Sequence, residues 1–277
     1  MKRLLFLLLV TWSLAAGSQS VSAEGLLWSL PPVGKWIRYE GTYTQVIKKP
    51  DEPGSDETLT WTRHLTIKAI SMEDAVYQGQ AVPCQWVEFK VVTGPVKEGI
   101  IDAGPGAIRI YKVLVPQSAV DAVTVEPDGT VLDVDRVIAT HIPIVKGYRK
   151  IGNEEATEIT TGVFQTYPAL TLMPQYRQLS DQGQAAIAAV NDNVDCQHWR
   201  GTMVTEDNFT RSTNTTDLWR TESALVPFGV AQWLSQLTVE SKGSTNTRGE
   251  FKVVSEVTEE MTAVVTGDDA ESELVIE

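Results

Sequence analysis

The 277-residue sequence is poor in the residues that build metal and nucleophile sites, with two cysteines and three histidines. Two cysteines cannot staple a disulfide-dense mini-domain or form a cysteine-rich zinc module. His64, His141 and His198 stand on distant segments, with no pair at zinc-signature spacing and no His-Glu-x-x-His. Basic residues are scarce too. Against 36 Asp+Glu there are 23 Lys+Arg, a formal charge of −13, which argues against a surface built to neutralise nucleic-acid phosphates. Beyond the N-terminus no apolar run approaches the ~20 residues of a membrane-spanning helix. Catalytic signatures are also missing: there is no Gly-x-Ser-x-Gly elbow and no Ser-x-x-Lys at a plausible helix start. Gly104-Pro105-Gly106 lacks the Lys-Ser/Thr ending of a phosphate cradle, and Asp128-Gly129 lacks the spaced carboxylates of a calcium loop. At 42% hydrophobic and 21% charged, the chain is nonetheless too apolar to be disordered.

What is present begins with an address. Met1–Ala23 reads as a secretory signal peptide: Lys2 and Arg3, a short apolar run over Leu4–Val10, and Val21-Ser22-Ala23 as a small-residue cleavage site. An exported protein, periplasmic or extracellular, is therefore expected after cleavage at about Ala23. The mature chain loses two positive charges, becomes more acidic still, and carries no transmembrane segment. Residues 24–267 are expected to form one large β-rich domain, with a division into two lobes near 168–193 as the alternative. The acidic stretch 268–277 reads as a frayed, flexible tail.

Period-two alternation dominates the rest. Leu59, Trp61, Arg63, Leu65, Ile67 and Ala69 share one face of a strand, with Thr60, Thr62, His64, Thr66 and Lys68 on the other. Similar faces are made by Ile37, Tyr39 and Tyr43; by Val87, Phe89 and Val91; and by Ile108, Ile110 and Leu114. Ile159 with Val163, then Ala231, Trp233, Leu237 and Val239, then Phe251, Val253 and Val257 continue the pattern. Turn chemistry separates these runs at 50–54, 102–106, 126–129 and 242–244. The Ala-rich run Ser180–Val190 and the segment Leu132–Thr140 are the two short helix candidates. The expected fold is mainly β: a large antiparallel sheet, curved as a half-barrel or split into two layers, with one or two short helices.

In an exported chain, Cys84 and Cys196 are expected to pair as a disulfide, closing a long loop; two buried free thiols are the alternative. His198 lies beside Cys196, so a Cys–His dyad is conceivable only if the bridge is not made. Asn208-Phe209-Thr210 and Asn214-Thr215-Thr216 match the glycosylation acceptor pattern and suggest an exposed hairpin tip. Trp86 falls on the face opposite Val87, Phe89 and Val91, so that face is covered by a second layer or lines a groove.

The passage Trp219-Arg220-Thr221-Glu222-Ser223-Ala224-Leu225-Val226-Pro227-Phe228-Gly229-Val230-Ala231-Gln232-Trp233 resembles a strand–turn–strand passage of exported half-barrel proteins. Together with the Trp-bearing sheet it is similar, at the level of fold, to the bacterial lipoprotein-localisation carriers. That resemblance implies a curved sheet and an apolar cavity, with Phe228 plugging one end, and assigns no site residue. Trp61, Trp86, Trp219, Phe228 and Trp233 are the ligand-lining candidates, with core packing as their other role. Three functions follow as expectations. The first is non-enzymatic binding of a lipid or other apolar or amphiphilic ligand on a concave sheet, without a cofactor. The second is a cell-envelope interaction module with a protein partner. The third is a hydrolase built around His198 or His141.

Overall fold

Alternating side chains give each strand one apolar face, and such faces are stable only when laid edge to edge over a common core. The computed structural model describes residues 26–52, 54–120, 141–167, 169–174 and 179–276. The signal-peptide segment, the helix candidate at 132–140 and the turn at 126–129 lie outside the described residues. The strands are β1 (Trp36–Ile47), β2 (Glu57–Tyr77), β3 (Gln80–Gly94), β4 (Val96–Lys97), β5 (Ile100–Ile101), β6 (Arg109–Pro116), β7 (His141–Pro143) and β8 (Lys146–Ile151). They continue with β9 (Thr157–Glu158), β10 (Val163–Gln165), β11 (Leu179–Ala189), β12 (Asp192–Glu206), β13 (Thr210–Arg220), β14 (Val230–Ser241) and β15 (Lys252–Gly267). One helical turn, α1 (Gln117–Val120), follows β6.

Eleven strands form an open sheet in the order β11-β12-β13-β14-β15-β1-β2-β3-β6-β8-β9. Every pairing in it is antiparallel. Neighbours follow chain order except at β15–β1, where strands from opposite ends of the sequence pair along their length. The two strands cross tightly: a Cβ built at Gly41 would lie 1.8 Å from the Glu260 carbonyl oxygen, so only glycine fits. The sheet also curls. Val190, at the β11–β12 turn, donates its N–H to Ala263 O on β15 at 2.9 Å, across the intervening β13 and β14.

The main core lines one face. Ile37 and Tyr39 of β1, Leu65, Ile67 and Ala69 of β2, Val87, Phe89 and Val91 of β3, and Trp233 of β14 form it, with Met261 and Ala263 of β15. Segments outside this sheet cover the face: Leu26 and Leu27, Ile142 and Ile144, Phe164, Leu170 and Met173, and Val226 and Phe228 all pack into the same cluster. The core face is therefore filled over most of its length.

Several local expectations change. The Ala-rich run at 180–190 is an edge strand, β11, with a bulge between Asp181 and Gly183. It carries no apolar stripe at helical spacing, and alanine's helix preference of a few tenths of a kcal/mol per residue yields to a ladder of ten residue pairs with β12. On β6 the core-facing set is Tyr111, Val113 and Val115, whereas Leu114 joins a separate cluster with Cys84 and Trp86 on the outer face. Ile159 lies in the link between β9 and β10, so it shares no strand with Val163.

The expected Cys84–Cys196 bridge is not formed: both thiols are buried and free. Cys84 on β3 sits in the outer cluster and Cys196 on β12 in the main one, with β13, β14, β15, β1 and β2 between their strands. That separation far exceeds the ~7 Å Cα span a disulfide tolerates. Burial pushes the Cys196 thiol up to about 11.

The segment expected to be a frayed tail is a strap along the outer face. Lys35 pairs with Asp268 at 2.5 Å, and Trp36 Nε1 donates to Asp269 at 2.8 Å. Lys68 and Lys90 grip the two oxygens of Glu273 at 2.7 and 2.5 Å. Beneath it, the fully buried Glu88 carboxylate accepts from Ser272 Oγ at 2.7 Å and from the Glu273 and Leu274 N–H groups at 3.0 and 3.1 Å. The strap's acids meet the lysines of the outer face, which is why it lies down.

Candidate functional site

On four adjacent strands the apolar stripe of the core face stops at the same level. On β1 it runs from Tyr39 through Gly41 to Tyr43, and on β2 from Leu65 through Arg63 to Trp61. On β3 it passes from Val91 to Thr93, and on β6 from Tyr111 to Arg109. Register brings these ends together: Tyr43 faces Trp61, Arg63 faces Thr93, and Val91 faces Arg109. The result is a cleft of about 530 Å³ walled by Tyr43, Trp61, Arg63, Thr93, Arg109 and Leu172 together with the 94–106 loop. Gly94 makes that loop possible. A Cβ there would lie 1.9 Å from Asp102 O, so glycine alone lets the β4–β5 hairpin fold back and bring Asp102–Gly106 over the cleft.

The floor is polar and buried. Arg63 is 7% exposed, Glu259 of β15 is fully buried, and they pair directly. Arg63 also donates to Thr93 Oγ1 at 2.9 Å and Leu170 O at 3.4 Å, and its guanidinium lies 5.2 Å from the Tyr43 ring centre. Glu259 accepts from Trp233 Nε1 at 2.7 Å and from the Leu172 N–H. Asn214, 2% exposed, donates to Leu172 O at 2.9 Å. Three buried side chains thus satisfy the backbone of the irregular 170–172 segment, as buried peptide groups require. Burial raises the Glu259 carboxyl, against the lowering by Arg63, the Trp233 indole and the Leu172 N–H. Burial likewise raises the Tyr43 phenol. Tyr43 and Trp61 stack with centroids 6.1 Å apart at 24°, giving the cleft a flat aromatic wall.

Of the five aromatic candidates, Trp61 alone lines this cleft. Trp233 and Phe228 are fully buried in the main core. Trp86 lies in the outer cluster, donating Nε1 to Glu73 at 2.7 Å and stacking on Tyr148. Trp219 stacks on His198 at 4.6 Å. His198 Nε2 is 2.7 Å from Asp217 Oδ1, and Arg200 holds the same carboxylate through two hydrogen bonds of 2.8 and 2.9 Å. Cys196 Sγ instead donates to Val194 O at 3.4 Å, and its raised pKa leaves little thiolate, so the dyad with His198 is not assembled. His64 lies on the outer face, 3.7 Å from Glu40. Among the described residues no cluster of three or more His, Cys, Asp or Glu is arranged to hold a metal ion. Asn208 stands in the β12–β13 turn, while the buried Asn214 lies inside β13, so only the first acceptor motif is at the hairpin tip.

A second hollow of about 550 Å³ opens under the strap, lined by Arg38, His64, Lys68 and Lys90 with the strap's own Asp269 and Glu273, so its lysines are already engaged. Pro227 and Gly229 shape the turn between β13 and β14, whose Gly229 N–H bonds to Val226 O and whose Phe228 O accepts from Trp28 N–H. Comparison with models of known protein families finds no match, and neither does comparison with curated proteins.

Proposed function

We propose that this chain is an exported, non-enzymatic β protein that binds an apolar or amphiphilic ligand in the cleft at the polar end of its core face. The observation that carries the reading is the stacked Tyr43–Trp61 wall beside a cleft of about 530 Å³, a size within the usual range for small-molecule sites. The remainder of the core face is filled by its own side chains, which confines a ligand to this end. Export rests on the Met1–Ala23 pattern. Titration with a neutral single-chain detergent below its micelle concentration, followed by tryptophan fluorescence and native mass spectrometry, tests the reading. A saturable shift in wild type that Trp61→Ala lowers at least about tenfold, as loss of a buried aromatic contact should, is the expected result. Fluorescence indifferent to every amphiphile, with no bound mass, would end it.

An interaction module of the cell envelope is a second reading, supported by β11, an eleven-residue strand that ends the sheet and pairs on one side only. Envelope crosslinking through a photoreactive residue at Ala186 would yield a discrete adduct if β11 docks a partner, and none if it does not.

A further inference from the structure

We infer that the cleft selects a singly anionic amphiphile, whose head group Arg109 binds while its apolar part lies along Trp61 and Tyr43. The inference rests on the ligand-binding reading above and adds the charge of the ligand. It comes from charge balance among the lining residues. Arg63 is matched by Glu259 beneath it. Asp102 is matched by Lys97 at 2.5 Å and also accepts from the Gly104 N–H at 3.0 Å. Arg109 is left over. Its one hydrogen bond is a long contact from Nε to Gly106 O at 3.4 Å, and among the described residues no carboxylate pairs with it. A chain of net charge −13 thus holds an unbalanced cation in the lining of the cleft that carries the Tyr43–Trp61 wall.

Position strengthens the point. Arg109 opens β6 on the same face as Tyr111 and Val113, so its side chain continues the core stripe into the cleft. The neighbouring wall includes Gly104 and Gly106, which have no side chains, and a Cβ built at Gly106 would lie 3.7 Å from an Arg109 Nη. Arginine presents planar paired donors that match a carboxylate, a phosphate ester or a sulfate ester, and such charge-assisted bonds are about twice as strong as neutral ones. The buried ion pair behind it excludes a second anion, because Arg63 already has its carboxylate. One head group of one charge, on a body that a cleft of about 530 Å³ can hold, is the ligand this arrangement fits.

The test holds the chain constant and changes the head. Dodecanoate, dodecyl sulfate, dodecyl maltoside and dodecyltrimethylammonium are titrated below their micelle concentrations by calorimetry, beside inorganic phosphate alone. Wild type should bind the two anionic amphiphiles about tenfold or more tighter than the maltoside, in line with a charge-assisted contact, and the cation most weakly. Arg109→Gln should erase the preference, so that anionic and maltoside heads bind about equally, and Arg109→Lys should keep part of it. Circular dichroism confirms that each variant is folded. Equal affinity for anionic and neutral heads, or a preference that survives Arg109→Gln, overturns the inference and leaves ligand binding standing. Tight binding of inorganic phosphate alone would show an anion site with no apolar part, and also overturns it. If no amphiphile binds, the reading beneath it falls as well.

Discussion

At the scale of residues, the Arg63–Glu259 pair is the least replaceable feature of the site. Removing one member of a buried pair leaves the other's desolvation uncompensated, about 3–5 kcal/mol. The two removals should differ with pH. In Arg63→Met, Glu259 can escape by taking a proton. Its pKa, already raised by burial, rises further, so the mutant loses stability as pH climbs above the unfolded carboxyl value near 4.5 and then levels off. In Glu259→Gln, Arg63 cannot shed its charge and nothing at position 259 titrates, so that variant's own stability should show no such fall as pH climbs. Urea unfolding at pH 5 and pH 8 checks both, and parallel pH profiles for the two variants would contradict the assigned pairing. This pair was half legible. Arg63 stands in the apolar stripe Leu59–Ala69, and Glu259 in the stripe Val257, Met261, Ala263. A charge in such a stripe demands a buried partner, but nothing local says which strand supplies it.

At the scale of elements, most strands could be read from alternation, because one buried face leaves a period-two trace. Two elements could not. β11 lies on an edge, and its run Ala185–Ala189 alternates in burial but not in residue type, so its identity comes from pairing with β12. The strap has no repeating pattern at all; it is held by lysines on β2 and β3 and by a buried carboxylate some 185 residues away in sequence. Its pH response follows. Burial opposes ionisation of Glu273, but the hydrogen bonds from Lys68 and Lys90 outweigh it and hold the carboxyl below its usual value. A depressed folded pKa means the stabilisation is present above about pH 4.5 and is lost as pH falls through the folded value. Protection of the Glu273 and Leu274 amides against hydrogen exchange, relative to the intrinsic rate at each pH, should therefore fall on acidification before that of the sheet amides. Glu88→Ala should abolish their protection at neutral pH and cost about 1–3 kcal/mol through the lost acceptor. Unchanged protection in that variant would show that the strap is held elsewhere.

At the scale of the whole molecule, the β-rich class and the antiparallel sheet were visible in composition and alternation, but the strand order was not. No pattern in either half signals that β1 and β15 pair, because register is decided by what packs over both faces rather than by local preference. The close crossing at Gly41 makes that joint testable. Gly41→Ala pushes a methyl into Glu260 O and should lower stability by about 3 kcal/mol or more. Because one core cluster spans both sides of the joint, the loss should appear as a single transition, with Trp36 and Trp233 reporting the same midpoint. Two separated transitions would show that the halves melt independently.

The same joint sets a clock. Of the eleven strands of the sheet, β15, which completes its middle, is the last to be synthesised, whereas its partner β1 is the first. Until residues 252–267 arrive, β1 can pair only with β2 and holds a bare row of peptide donors and acceptors on its other side. Contacts so distant in sequence form slowly, and they form late. A partly made sheet therefore cannot close its own centre, and β1 keeps an open edge until β15 is free to join.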